Sequence, residues 1–190
     1  MTRCAKYLKA LGITGEVEKT LLHLRTLFSK WNTTINLSGA KTLDEIDEQI
    51  FDCLHVVPYL RSQSRVLDVG SGGGFPLVIA AICLPDVEFV GLEPVHKKHA
   101  FLRTAARTLG LANVECLAIR LEDYETAGYD TAMSRATFEL DRWLALGATL
   151  IAPGGIVIGF EGSELSEHPQ VERFSYELLG KRRAIIILRS

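Results

Sequence analysis

Val66-Leu67-Asp68-Val69-Gly70-Ser71-Gly72-Gly73-Gly74-Phe75-Pro76 decides the fold. Apolar Val66, Leu67 and Val69 around Asp68 have the composition of the end of a buried strand. Glycines at 70, 72 and 74 then let the chain turn sharply, because glycine tolerates positive φ and the close approach of a ligand. The apolar run that starts at Leu77 reads as a helix. In an open α/β sheet, the tip of such a strand–turn–helix unit is where nucleotide-like ligands bind. The spacing argues against a dinucleotide, whose fingerprint has a glycine where this chain has Phe75. No G-K-[ST] follows either, which excludes a phosphate-cradling P-loop.

Outward from this loop, strands and helices alternate. Strands are expected near 65–70, 87–92, 114–119, 129–134, 155–160, 172–178 and 183–189, and helices near 76–84, 95–109 and 138–151. Gly110 is a normal stop for the second of these helices, and Pro153-Gly154-Gly155 marks a turn before the fifth strand. The alternation predicts an α/β fold, a seven-stranded and mainly parallel sheet covered on both faces. With no helix between them, the last two strands should form an antiparallel edge. Upstream, Val17, Leu21, Leu24, Phe28 and Trp31 lie at intervals of four and three, the stripe of an amphipathic helix. A polar loop at 32–41 leads to Thr42-Leu43-Asp44-Glu45, which has the form of a capping box. Residues 1–62 therefore read as a helical N-terminal cap, or as an extension of the sheet domain that occupies 63–190.

A length of 190 residues suits one domain with a small appendage. No apolar run approaches the roughly 18 residues of a membrane span, and Met1-Thr2-Arg3-Cys4-Ala5-Lys6 lacks a signal core. Cys4, Cys53, Cys83 and Cys116 are scattered singly, as free thiols in a reducing cytoplasm would be. The net charge of −2 gives no global nucleic-acid signal. Locally, His96-Lys97-Lys98-His99 with Arg103 and Arg107, and Lys181-Arg182-Arg183, form basic clusters of the kind that usually make a solvated face. Residues 161–177 lean acidic, with Glu161, Glu164, Glu167, Glu172 and Glu177 against Arg173.

Polar groups end successive strands: Asp68, then Glu93, then Arg120 with Glu122, then Ser134-Arg135. In a right-handed parallel sheet these ends share one edge and line one crevice. Glu93 stands about twenty residues past the glycines, where an acid accepts from both ribose hydroxyls. The alternative for Glu93 is an exposed turn carboxylate. Glu122 is placed to meet an adenine amino group, or is a surface acid. Arg135 has five fixed donors suited to a carboxylate, a phosphate or guanine O6, unless it makes a structural ion pair. No third ligand completes His96-x-x-His99, so no metal is expected, and no G-x-S-x-G elbow is present.

The D-x-G-x-G-x-G pattern resembles the first motif of class I S-adenosylmethionine-dependent methyltransferases. Through nearly its whole length the chain resembles the glucose-inhibited division protein B family, small-subunit (16S) ribosomal RNA guanine-N7 methyltransferases. The resemblance runs through Lys30-Trp31-Asn32, Ile35-Asn36-Leu37-Ser38, Asp52 and Pro58-Tyr59-Leu60. It continues through the glycine loop, Lys97-Lys98, Phe101-Leu102, Arg120 with Glu122, and Ser134-Arg135-Ala136. It implies a Rossmann-like class I fold and S-adenosyl-L-methionine as cofactor. Asp68, Gly70, Gly72, Gly74, Phe75, Glu93, Leu121, Glu122 and Arg135 fall in the cofactor pocket by this resemblance. Asn36 would face the pocket mouth on the substrate side with Arg135, or else close its loop through an Asx-turn. Guanine N7 has a ready lone pair and no proton to lose, so no general base is expected. The implied partner is 16S ribosomal RNA or the small ribosomal subunit, met by a cytoplasmic monomer without membrane or metal.

The departures from the family are specific. Its usual G-F-P-G-x-P reads Gly74-Phe75-Pro76-Leu77-Val78-Ile79 here, an Arg-His pair is replaced by Glu48-Gln49, and a lysine at the end of the fifth strand by Glu161. Because lysine and arginine contacts to phosphate supply much of nucleic-acid affinity, Glu161→Lys is expected to strengthen RNA binding.

Overall fold

A computed structural model describes residues 2–13, 15–162 and 169–190; Glu164 and Glu167 of the acidic stretch lie outside the described residues. Four helices come first: α1 (Thr2–Ala10), α2 (Gly15–Ile35), α3 (Leu43–Leu54) and the single turn α4 (Val57–Leu60). The stripe on α2 turns inward as its spacing requires, with Leu21, Leu24 and Phe28 fully buried. The capping box forms at the start of α3. Glu45 N–H donates to Thr42 Oγ1 at 3.2 Å, and Thr42 N–H to Glu45 Oε2 at 3.0 Å. The loop before it is shorter than expected because α2 runs on to Ile35, and Asn32 closes it. Its amide donates to the Ala40 carbonyl at 2.6 Å and accepts from Ser38 N–H at 2.8 Å.

Seven strands follow: β1 (Arg65–Val69), β2 (Glu88–Leu92), β3 (Val114–Leu117), β4 (Tyr129–Ser134), β5 (Ile151–Glu161), β6 (Glu172–Leu178) and β7 (Lys181–Arg189). Helix α5 (Leu77–Cys83) links β1 to β2, α6 (His96–Thr108) links β2 to β3, and α7 (Leu140–Ala148) links β4 to β5. The strand order is β3-β2-β1-β4-β5-β7-β6. Strands β1 to β5 pair in parallel, and β7 runs against both β5 and β6. The expected antiparallel pair thus closes one edge of the sheet, with the reversed strand β7 one place in from that edge. Every residue of α5 is buried, a helix sunk between the sheet and the N-terminal helices. On that face, one apolar core runs from Cys4 and Leu8 through Phe28, Ile50, Phe75 and Phe101 to Ile187. The opposite face is covered by α7 through Trp143 and Leu144, packed on Leu67, Val90 and Val157.

Strand β5 also departs from the sequence reading. Pro153-Gly154-Gly155 does not precede β5 but lies within it. Tyr129 pairs with Ile151 and Thr131 with Ile156, so the extra β5 residues bulge outward, with Gly154 at φ +81°. A glycine-rich bulge and a turn share the same composition, and only the β4 partner tells them apart.

Candidate active site

Strand β1 lies between β2 and β4, and the chain crosses to opposite sides of the sheet from there. This is the switch point at which an open α/β sheet leaves a crevice beyond its strand ends. The glycine loop fills the floor of that crevice. Gly70 N–H and Ser71 N–H both donate to the Leu92 carbonyl, at 2.9 and 3.0 Å, which ties the loop to the end of β2. Gly70 sits at φ +75° and Gly72 at φ +56°, in the left-handed region that favours glycine. A Cβ on Gly72 would meet nothing closer than the Gly70 carbonyl at 3.8 Å; it would project into free space beside the cleft that Gly72 lines.

Glu93 is 4 % exposed and therefore no surface turn residue. Its Oε2 accepts from Gly72 N–H at 2.7 Å and its Oε1 from Val95 N–H at 2.8 Å, so one carboxylate couples the glycine loop to the chain leading into α6. Each oxygen keeps a further lone pair for a ligand hydroxyl. Asp68 lies behind the loop, 1 % exposed, and its Oδ2 has no hydrogen-bond partner among the described residues. Burial raises its pKa from 3.8 to about 7.

Arg135 follows β4. Ser134 Oγ anchors that strand end by donating to the Val69 carbonyl at 2.8 Å. The guanidinium reaches back to α3, where Nη1 donates to Cys53 Sγ at 3.2 Å and Nη2 lies 3.5 Å from Asp52 Oδ2. Tyr176 of β6 donates its hydroxyl to the other oxygen, Asp52 Oδ1, at 2.7 Å. Arg135 thus makes the structural ion pair and also lines the cleft.

The cleft holds about 430 Å³ and brings together Gly70, Gly72, Phe75, Glu93 and Arg135 of the expected residues. Gly74 and Asp68 are buried beneath it. Leu121 and Glu122 form a short 3-10 turn after β3 (Leu121–Asp123), on the same sheet edge but outside the cleft wall. Asn36, at φ +54°, lines a separate hollow of about 300 Å³ with Asn32 and Lys41 rather than the cleft. Phe28, Ser38, Gln49, Lys98 and Thr137 line the cleft without having been singled out as ligand contacts. Phe28 read correctly as core, and no local signal shows that its helix folds over the loop. Thr137 helps to hold position 70 to glycine, since a Cβ there would stand 2.4 Å from Thr137 Oγ1.

A second hollow of about 510 Å³ adjoins the cleft, sharing Gln49 and Arg135 with it. Its α3 wall is acidic, with Asp44, Glu45, Glu48 and Asp52. Glu48 pairs with Arg3 at 3.0 Å. Glu161, 8 % exposed at the end of β5, is ion-paired with Arg173 of β6. It is a partnered structural acid, not a free surface charge.

A glycine loop at the switch point with Phe75 in place of a third fingerprint glycine, an acid at the end of β2 and a reversed β7 between β5 and β6 together fit a class I S-adenosylmethionine-dependent methyltransferase. Solved structures agree on the fold. The O-methyltransferase TomG of Streptomyces achromogenes, in complex with S-adenosylmethionine, superposes with a TM-score of 0.61 at 16% identity, covering 88% of this chain and 90% of that one. A SAM-dependent methyltransferase from Aquifex aeolicus superposes with a TM-score of 0.56 at 16% identity, covering 73% and 90%. Sequence comparison is more specific. The family model described as rRNA small subunit methyltransferase G matches residues 17–187. The ribosomal RNA small subunit methyltransferase G of Neisseria gonorrhoeae is 36% identical over 187 residues, covering 93% of this chain and 90% of that protein. The chain belongs to the rRNA small subunit methyltransferase G family and is an S-adenosylmethionine-dependent methyltransferase.

Proposed function

We propose that this chain transfers a methyl group from S-adenosylmethionine to N7 of a guanosine in 16S ribosomal RNA. The observation that carries the reading is the Glu93 carboxylate, buried and bonded to Gly72 N–H at the floor of the cleft. It offers two oxygens at the place where a ribose diol is bound in folds of this type. Gly70, Gly72 and Phe75 shape the floor, with Gly74 and Asp68 supporting it from below. Leu121 and Glu122, on the same edge, flank the adenine end. Bound there, S-adenosylmethionine supplies an activated methyl on a positively charged sulfur. The residues of the chain then have two tasks, alignment and exclusion of water. N7 presents a lone pair and loses no proton, so no side chain need act as a base. Arg135 serves the substrate side, its fork held by Asp52 and Cys53 and directed to an acceptor such as guanine O6. Asn36 contributes from the neighbouring hollow to the rim on which the RNA rests.

Residues 1–62 act as a cap over this site and 63–190 as the cofactor-binding domain. The enzyme works as a cytoplasmic monomer without a metal. Among the described residues no helix is long and apolar enough to cross a membrane, and all four cysteines are free, in keeping with a reducing compartment. The test is incubation with labelled S-adenosylmethionine and unmethylated small subunits or their naked RNA, followed by borohydride–aniline cleavage at 7-methylguanosine. Cleavage at a single guanosine is expected. Label incorporated without cleavage would place the methyl on another atom. Calorimetric binding of NAD without S-adenosylmethionine would overturn the cofactor assignment.

A further inference from the structure

The charge around the cleft is divided. The α3 side carries Asp44, Glu45, Glu48 and Asp52, whereas α6, which starts at the cleft with Lys98 on its wall, carries only cations and neutral residues. Along α6, His96, Ala100, Arg103 and Arg107 recur at four, three and four residues and form one exposed stripe. Phe101, Leu102 and Ala105, all fully buried, take the opposite side. From His96 to Arg107 the stripe runs about 16 Å. Between the two arginines, Ala100 and Thr104 floor a shallow hollow of about 240 Å³. Small side chains there leave room that lysines or glutamates would fill.

The four cations of α6 stand on one helix that carries no carboxylate. Among the described residues, Arg3, Lys19, Arg25, Arg135, Arg173 and Arg189 each pair with a carboxylate. Arg182, in the other basic cluster, lies directly across from Glu177 in the β6–β7 pairing. Lys97, Lys98, Arg103 and Arg107 have no ion-pair partner among the described residues. Glu115, the acid on the neighbouring β3, does not compensate them. Val114 and Cys116 pack on the α6 side of the sheet, so Glu115 projects to the other face.

We propose that the exposed α6 face is the track for the RNA backbone, with phosphates seated in the Ala100–Thr104 hollow between Arg103 and Arg107 while the acceptor base reaches the cleft past Lys98. The proposal rests on the reading that RNA is the substrate. Guanidinium forks give the planar, multidentate contacts that phosphate oxygens accept. On the α3 side, Asp44 and Glu45 have no ion-pair partner among the described residues and disfavour the same backbone there, whereas Glu48 and Asp52 are offset by Arg3 and Arg135. Backbone contacts of this kind position the strand without reading its sequence.

The test is the salt dependence of binding to naked small-subunit RNA by the wild type and by Arg103→Glu/Arg107→Glu. Each phosphate contact to a single strand contributes about 0.7 to the slope of log affinity against log salt. Loss of two contacts should make the slope shallower by about 1.4 and weaken binding at least about tenfold at low salt. Calorimetric affinity for S-adenosylmethionine should stay unchanged, which shows that the exposed substitutions leave the fold intact. Lys181→Glu/Arg182→Glu should keep the wild-type slope. An unchanged slope in the α6 variant, or a loss of slope in the β7 variant instead, overturns the proposal. So does an α6 variant that binds naked RNA normally but intact subunits poorly, because the face would then dock a ribosomal protein. A wild type that binds neither RNA nor subunits overturns the RNA reading itself, and this track with it.

Discussion

The ring of Phe28 on α2 lies stacked on that of Phe75 in the glycine loop, with 4.5 Å between centroids and 15° between planes. The same ring meets Phe101 of α6 edge-on, at 5.7 Å and 87°. A Cβ on Gly73 would stand 2.7 Å from its Cε2. The N-terminal helix therefore holds the cofactor loop from above. Phe28→Ala should cost about 3–5 kcal/mol of stability, the usual penalty for emptying a fully buried phenylalanine site. At temperatures where the variant stays folded, its S-adenosylmethionine affinity should also fall. Urea unfolding and calorimetry check the two parts, and an unchanged cofactor affinity would show that the loop holds its shape without α2.

Much of this site can be read from spacing because it lies where local rules are strong. Asp68, the three glycines and Glu93 occupy strand ends and a turn, and periodicity with glycine chemistry locates both. Phe28 shows where such reading stops. Its i, i+4 spacing gives burial, but its role comes from which residues it meets, and those belong to a loop distant in sequence. Arg135 is the same case. A strand-end arginine was legible, whereas its partners Asp52, Cys53 and Tyr176 come from α3 and the edge strand β6. The sequence leaves Asn36 either facing the cleft mouth or closing its loop; Asn32 closes that loop, and Asn36 lines a different hollow.

Asp52 is the hinge of the Arg135 network. Asp52→Ala should leave the Arg135 side chain, itself only 23% exposed, without its carboxylate, at a cost of about 3–5 kcal/mol. Tyr176→Phe is milder. It removes one hydrogen bond to a charged group, about 1.5–3 kcal/mol. Burial and the charge of Asp52 hold the Tyr176 phenol well above its ordinary pKa, so its hydroxyl remains a donor throughout the working range. In Tyr176→Phe the guanidinium loses part of its anchor, and KM for RNA should rise while calorimetric affinity for S-adenosylmethionine stays level. Equal losses in both would assign Arg135 to the cofactor instead.

Asp68 gives a pH signature. Its folded pKa is raised by burial from 3.8 to about 7. Between these values the unfolded chain releases the proton and the folded chain keeps it, so this group's contribution to stability falls as pH rises through that window and is level above it. Asp68→Asn has no such dependence. The stability of the variant relative to wild type should therefore increase from about pH 5 to about pH 8, measured by urea unfolding without cofactor. A constant difference would mean that the buried carboxylate ionises at its ordinary pKa.

Glu161 reverses an expectation drawn from charge alone. At a position where the family usually carries lysine, its charge invites Glu161→Lys as a gain in RNA affinity. The side chain is instead buried at the end of β5 and paired with Arg173. Lysine there would set two cations side by side in place of the Glu161–Arg173 pair. The expected outcome is a loss of about 3–5 kcal/mol, the cost of breaking a buried pair from one side, with no gain in RNA binding. The reciprocal exchange Glu161→Lys/Arg173→Glu restores opposite charges across β5 and the edge of the sheet, and should recover most of that loss in urea unfolding. If the single variant were as stable as wild type and bound RNA more tightly, the acid would be a functional surface charge after all.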